Sequence, residues 1–155
     1  MSTLEPGAKA PAFTMPTDTG GTVSLKDYKG KALVLYFYPR DDTPGCTKEA
    51  IAFTEHQAAF EKAGAEILGV SRDTVAKHGK FKAKHDLTIT LAADDDGATT
   101  EAYGVWVEKK MYGKTSMGIE RATFLIDGKG VVREVWRKVK VPGHAEAVLE
   151  AVKAL

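Results

Sequence analysis

Cys46 is the only cysteine in the chain, and it follows Thr43-Pro44-Gly45 where a helical pattern begins. A thiol in the first turn of a helix faces amide hydrogens with no intrahelical acceptor and the positive end of the helix dipole. Both favour the thiolate, the reactive form of cysteine. A lone cysteine is more often a small buried hydrophobe, and the Pro-Gly approach to a helix start sets this one apart. Keeping such a thiol roughly 90% ionised near neutral pH takes about 3.4 kcal/mol of differential stabilisation. A helix dipole supplies up to about 2 kcal/mol. The remainder calls for a fixed cation, and arginine suits because it stays charged and donates several directed hydrogen bonds.

A thiol so placed needs a strand that ends just before it and a helix that starts with it. Leu33 to Tyr38 is apolar on both alternating faces, the pattern of a central strand covered on two sides. After the Pro39 to Gly45 loop, Cys46, Ala50, Phe53, Gln57 and Phe60 share one helix face. Gly64 ends that helix and Ile67 to Val70 gives a second buried strand, so a right-handed βαβ unit is expected. Thr74 to His85 reads as a second, more basic helix, Thr90 to Ala92 as a short strand and Ala98 to Tyr103 as a short helix. Upstream, Pro6 to Gly21 is punctuated like a surface arm or hairpin. Ala122 to Ile126 and Val131 to Trp136 flank Asp127-Gly128-Lys129-Gly130, a turn short enough to force antiparallel pairing. Pro142 is expected to open a last helix with Val148, Leu149, Val152 and Leu155 as its apolar stripe. This order predicts one α/β domain over 1–155, with a thioredoxin-like fold in which helices flank a central mixed β-sheet on both faces.

Composition narrows the partners. The 155 residues are 43% hydrophobic and 28% charged, with a net charge of +1, so the concentrated basic field that nucleic acids or membrane surfaces require is not expected. One cysteine excludes an intramolecular disulfide and multi-cysteine zinc sites. Met1 to Ala12 lacks an apolar signal core, and the longest apolar run, Ala32 to Tyr38, falls well short of the roughly 20 residues that span a bilayer; a cytoplasmic protein is expected. Gly113-Lys114-Thr115 resembles the end of a phosphate loop, but Glu108 stands where its first glycine is needed. Asp94-Asp95-Asp96-Gly97 suggests a calcium loop, yet Ala92 and Tyr103 occupy the carboxylate positions, which leaves a solvated acidic turn. His56, His78, His85 and His144 form no close ligand pair and read as helix-surface residues. Lys77, Lys80, Lys82 and Lys84 read as a solvated basic face. No metal is expected.

Pro39-Arg40-Asp41-Asp42-Thr43-Pro44-Gly45-Cys46 carries the pattern P-x-x-x-T-x-x-C and resembles the signature of peroxiredoxins. The longer run Tyr36 to Ala50, with Gly104-Val105-Trp106 and Arg121 to Asp127, is similar to the bacterioferritin-comigratory, or Q-type, members, and the likeness extends over essentially the whole chain. The resemblance implies a peroxidase in which Cys46 attacks a hydroperoxide, the Thr43 hydroxyl contacts it, the Pro39 ring shields the pocket and Arg121 is the cation beside the sulfur. Arg121 and the amides of Gly45 and Cys46 would then follow negative charge from sulfur to the departing oxygen. Gly45 and Glu49 count among the substrate-binding residues, with Glu49 either orienting an arginine or complementing the dipole. No metal or organic cofactor is implied. The partners are a hydroperoxide and an external thiol reductant such as thioredoxin, glutaredoxin or glutathione, and a monomer is expected.

The chain departs from the family pattern at the second thiol. Many Q-type members carry a resolving cysteine five residues after the first, where Ile51 stands here, and others carry it on the following helix, at the position of Lys82. A one-cysteine cycle follows, in which an external thiol reduces the sulfenic acid of Cys46. Two other readings use the same residue. A thiol-disulfide reductase of this fold normally needs C-x-x-C, and Thr43 occupies the first of those positions. A non-enzymatic redox sensor or interaction protein would react stoichiometrically instead of turning over.

Overall fold

The computed structural model describes residues 4–155, so the Met1 to Thr3 part of the N-terminal reading lies outside the described residues. In chain order the elements are β1 (Thr14–Pro16), β2 (Thr22–Ser24), a 3-10 turn (Leu25–Tyr28), β3 (Ala32–Phe37), α1 (Pro44–Lys62), β4 (Ala65–Ser71), α2 (Val75–His85) and β5 (Thr90–Ala93). They continue with α3 (Ala98–Ala102), β6 (Trp106–Met111), β7 (Lys114–Ile119), β8 (Ala122–Ile126), β9 (Val132–Trp136) and α4 (His144–Lys153).

The five-stranded sheet has the order β5-β4-β3-β8-β9. β3 lies at its centre, parallel to β4 and antiparallel to β8, so the sheet is mixed. Alternation sends Val34, Tyr36 and Tyr38 to one face and Leu33, Leu35 and Phe37 to the other, and all six are buried. The first face packs against Ala50, Phe53 and Phe60 of α1, Phe81 of α2 and Val148 and Val152 of α4. The second is covered by Met15 and Val23 of the β1–β2 hairpin, Tyr28, Tyr103, Val105 and Ile119.

The helices are thus distributed unequally. The connections β3–α1–β4 and β4–α2–β5 step the same way across parallel strands, and right-handed crossovers put both helices on one side. The other face has hairpins, the 3-10 turn and five-residue α3 as its cover.

Several local expectations are corrected. α4 begins at His144, with Gly143 at its N-cap in the left-handed region at φ 77°, so Pro142 stands before the helix. Leu155 lies past its end and is exposed. The β6–β7 hairpin was not anticipated; it turns at Tyr112-Gly113, both at positive φ, and Gly113-Lys114-Thr115 belongs to that turn and its outgoing strand. In the acidic run, Asp95 and Asp96 are exposed, but Asp94 is buried and accepts the amides of Thr99 and Thr100 at 3.0 and 2.7 Å.

His144 is buried as well. Its Nε2 lies 2.8 Å from Thr123 Oγ1, and its ring meets Phe53 and Trp136 edge to face. Burial first, then the Arg121 charge, push its imidazole down to about 4. Between the usual value of 6.5 and about 4, the unfolded chain takes up a proton that the folded chain refuses. The associated stability is complete above that window and is lost as pH falls through it. Denaturant unfolding along a pH series should therefore show the stability gap between the native protein and His144→Gln narrowing by up to about 3 kcal/mol on acidification. A pH-independent gap contradicts this.

Candidate active site

α1 starts at the carboxyl end of β3, with Thr43 at its N-cap and Pro44 at the first helical position, where a missing N–H costs little. The Thr43 carbonyl accepts Thr47 N at 2.9 Å. Its hydroxyl donates to Arg40 O at 2.9 Å and makes no cap. The hydroxyl lone pairs face no donor among the described residues, and helix geometry leaves the Gly45 and Cys46 amides without intrahelical acceptors.

Arg121 immediately precedes β8, whose Ala122 pairs with Phe37 at the end of β3, so antiparallel register brings its side chain to Cys46. Arg121 Nη2 donates to Cys46 Sγ at 3.3 Å and Nη1 to Glu49 Oε1 at 2.7 Å. One planar fork therefore spans sulfur and carboxylate. A Cβ on Gly45 would stand 3.1 Å from Arg121 Nη2, so any larger residue there would press the guanidinium by a few tenths of an ångström. Cys46 itself is 2% exposed.

Glu49 is enclosed, and its Oε2 has no hydrogen-bond partner among the described residues. Burial pushes its carboxyl up to about 7 against the pull of Arg121. For Arg121, burial opposes the charge, but Glu49 and then Cys46 outweigh it and hold the guanidinium above its ordinary range. Near neutral pH the positive charge facing the sulfur is thus incompletely cancelled. Glu49 meets Arg121 through Nη1 and, like Cys46 and Arg121, is not part of the cavity wall described below.

The loop between β3 and α1 is tied down by residues that the sequence reading assigned to solvent. Tyr38 Oη donates to Asp41 Oδ1 at 2.6 Å, and Asp41 Oδ2 lies 2.6 Å from His78 Nδ1. His78 Nε2 donates to the Ala92 carbonyl at 2.9 Å. Asp41 N donates to Asp73 at 2.7 Å. Asp42, at φ 60°, accepts from Lys84 at 2.8 Å and lies 2.9 Å from His85. Lys82, at the alternative resolving position, bonds Asp18 at 2.9 Å. His78 is fully buried, and Lys77, Lys82 and Lys84 are all ion-paired, so the basic face of α2 is a clamp on the loop and on the first hairpin. The available signal was the spacing of His78 and Phe81, which places both on the buried face of α2.

A cavity of about 540 Å³ opens beside this loop, walled by Pro39, Arg40, Thr43, Trp106, Lys109 and Ile119 among others. Pro39 and Thr43, from the loop that leads to Cys46, belong to this wall, while Cys46 and Arg121 do not line it. A separate apolar cavity of about 250 Å³ sits at the other end of β3, by Leu33 and Ile126, far from the thiol.

Residues 6–135 match the AhpC/TSA family. The chain is similar to Bacillus subtilis peroxiredoxin Bcp, with 52% identity over 151 residues that span 97% of this chain and 96% of that protein. Among solved structures it resembles the Xanthomonas campestris bacterioferritin comigratory protein, studied for alkyl peroxide reduction, at a TM-score of 0.88 and 48% identity, covering 92% of this chain and 90% of that one. A cysteine-to-serine mutant of Xylella fastidiosa PrxQ aligns at a TM-score of 0.94 and 41% identity over 99% of this chain and 98% of that one. By family match, relatives and thioredoxin-like fold together, the chain belongs to the AhpC/TSA family, in its Bcp or Q-type branch of peroxiredoxins, the thiol-dependent peroxidases.

Proposed function

We propose that Cys46 reduces hydroperoxides in a one-cysteine cycle, with Arg121 as its activating cation. The observation that carries this is the Arg121 fork, which donates to Cys46 Sγ at 3.3 Å and to buried Glu49 at 2.7 Å. The Cys46 thiolate attacks the nearer peroxide oxygen, the O–O bond breaks, and the other oxygen leaves with the bonding pair and takes up a proton as alcohol or water. Arg121 and the amides of Gly45 and Cys46 track the charge as it moves. Thr43, whose own hydrogen goes to Arg40 O, accepts the peroxide O–H. Pro39 closes the approach, and Glu49 holds the guanidinium in place.

The resulting sulfenic acid has no second thiol in the sequence. It is reduced by an external thiol, with thioredoxin, glutaredoxin and glutathione as the candidate donors. Dependence on such a donor fits a compartment where thiols stay reduced, the cytoplasm. We read residues 1–155 as one catalytic domain, and we take it to act as a monomer.

One equivalent of hydroperoxide should add a single oxygen, about 16 Da, to Cys46. A thiol donor should then restore the original mass, and excess peroxide without donor should carry the sulfur on to sulfinic acid. Failure of Cys46 to gain oxygen under these conditions contradicts the cycle.

A further inference from the structure

The cavity beside Thr43 has a wall richer in cations than the peroxide step requires. Arg40 and Lys109 make no ion pair among the described residues. Arg72 likewise has no carboxylate partner among the described residues. Its Nε donates to Thr100 Oγ1 at 2.9 Å, its Nη2 to Gly97 O at 3.2 Å, and its guanidinium stacks 3.3 Å over the Trp106 ring. The single acidic residue of the wall, Asp73, is already engaged by Asp41 N and Ser71 Oγ, both at 2.7 Å, and by Lys77 at 3.5 Å. Burial first, then Arg121, press the Lys109 ammonium below its ordinary range, while Cys46 and Glu120 oppose this. Lys109 thus lies within electrostatic reach of Arg121 and Cys46. Trp106, Ile119 and Pro39 add apolar surface to the same wall.

We infer that this cavity receives the carboxylates of a small acidic thiol, which reduces the Cys46 sulfenic acid directly. The inference rests on the one-cysteine cycle proposed above and names the reductant class for that site. A hydroperoxide group brings no carboxylate of its own, whereas a tripeptide thiol of the glutathione type carries two. A volume of about 540 Å³ is ordinary for a site holding a ligand of that size. In the first step the donor sulfur bonds to Cys46 Sγ and the sulfenic oxygen leaves as water. In the second, another donor thiolate attacks the donor-side sulfur, which frees the Cys46 thiolate and forms the donor disulfide. Two thiols are oxidised for each peroxide reduced.

S-methylglutathione, which cannot react, tests binding through tryptophan fluorescence in a Trp136→Phe background, where Trp106 is the one remaining tryptophan. It should quench saturably, its dimethyl ester should not, and the double variant Lys109→Gln with Arg40→Gln should bind about tenfold more weakly. Rates of sulfenic acid reduction supply the second arm. The ratio of the glutathione rate to the dithiothreitol rate should fall in the same variant by a similar factor. Equal binding of acid and ester, or an unchanged ratio, overturns the inference. Reduction by dithiothreitol with no glutathione binding leaves the one-cysteine cycle standing and removes the acidic donor; reduction by neither thiol removes the cycle. Preferential oxidation by a carboxylate-bearing hydroperoxide, without glutathione binding, reassigns the wall to substrate and also overturns the inference.

Discussion

Cys46→Ser is expected to lower peroxide consumption, at any concentration of thiol donor, to below about a thousandth of the native rate. The substitution replaces one atom, leaves the volume nearly unchanged and keeps the residue at the start of α1. What it removes is a nucleophile that exists as an anion at accessible pH and can carry an oxygen atom to a thiol afterwards. A hydroxyl in the same field stays protonated and has no counterpart of the sulfenic acid. Since Cys46 is the only cysteine, no other thiol can substitute for it. Steady-state peroxide loss with dithiothreitol as donor gives the measurement. Residual turnover within tenfold of the native enzyme places the chemistry elsewhere.

The second large effect is expected at Arg121. Arg121→Gln keeps a hydrogen-bond donor but removes the charge that spans Cys46 and Glu49, and the rate of Cys46 oxidation should fall about a hundredfold or more, as for other preorganised donors. Truncating one partner of a buried pair also leaves the other unpaired, which costs about 3 to 5 kcal/mol of stability. Glu49 is that partner, so loss of folding must be separated from loss of chemistry. Arg121→Gln combined with Glu49→Gln removes both charges and restores most of the stability, yet should remain as slow as the single arginine variant. Arg121→Lys keeps the charge but cannot reach both groups with a planar fork, and an intermediate rate is expected. Recovery of the native rate in the double variant assigns Arg121 a structural part only.

The constellation was partly legible before any coordinates. The apolar run of β3, the Thr-Pro-Gly approach and the face shared by Cys46, Ala50, Phe53 and Phe60 are all local signals, and they put the thiol at a helix start beside a central strand. The Arg121 assignment needed the family resemblance, because the residue is 75 positions away from Cys46 and nothing in its neighbourhood announces the contact. The clamp on the loop was missed for a related reason. His78, Lys84 and His85 bind Asp41 and Asp42 across about forty residues; on a helix wheel Lys84 and His85 look like ordinary polar positions, and only His78 shares the buried face with Phe81.

The β6–β7 hairpin escaped for the opposite reason. Its strands are short on alternating apolar residues because β7 is largely exposed, so the period-two pattern that reveals a half-buried strand is weak. Only the Tyr112-Gly113 turn carried a hint. That hairpin nevertheless contributes Trp106, Lys109 and Ile119 to the cavity wall, so what the sequence concealed bears on ligand choice more than on the nucleophile.

The proposal beneath all of this is that the Arg121 contact to Cys46 Sγ favours the thiolate over the thiol. Ultraviolet thiolate absorbance measures it directly, taken as the difference between the protein and its Cys46→Ser variant. The difference signal should be present at neutral pH in the native protein and largely absent when Arg121 is glutamine. Equal signals with and without the guanidinium would contradict the account.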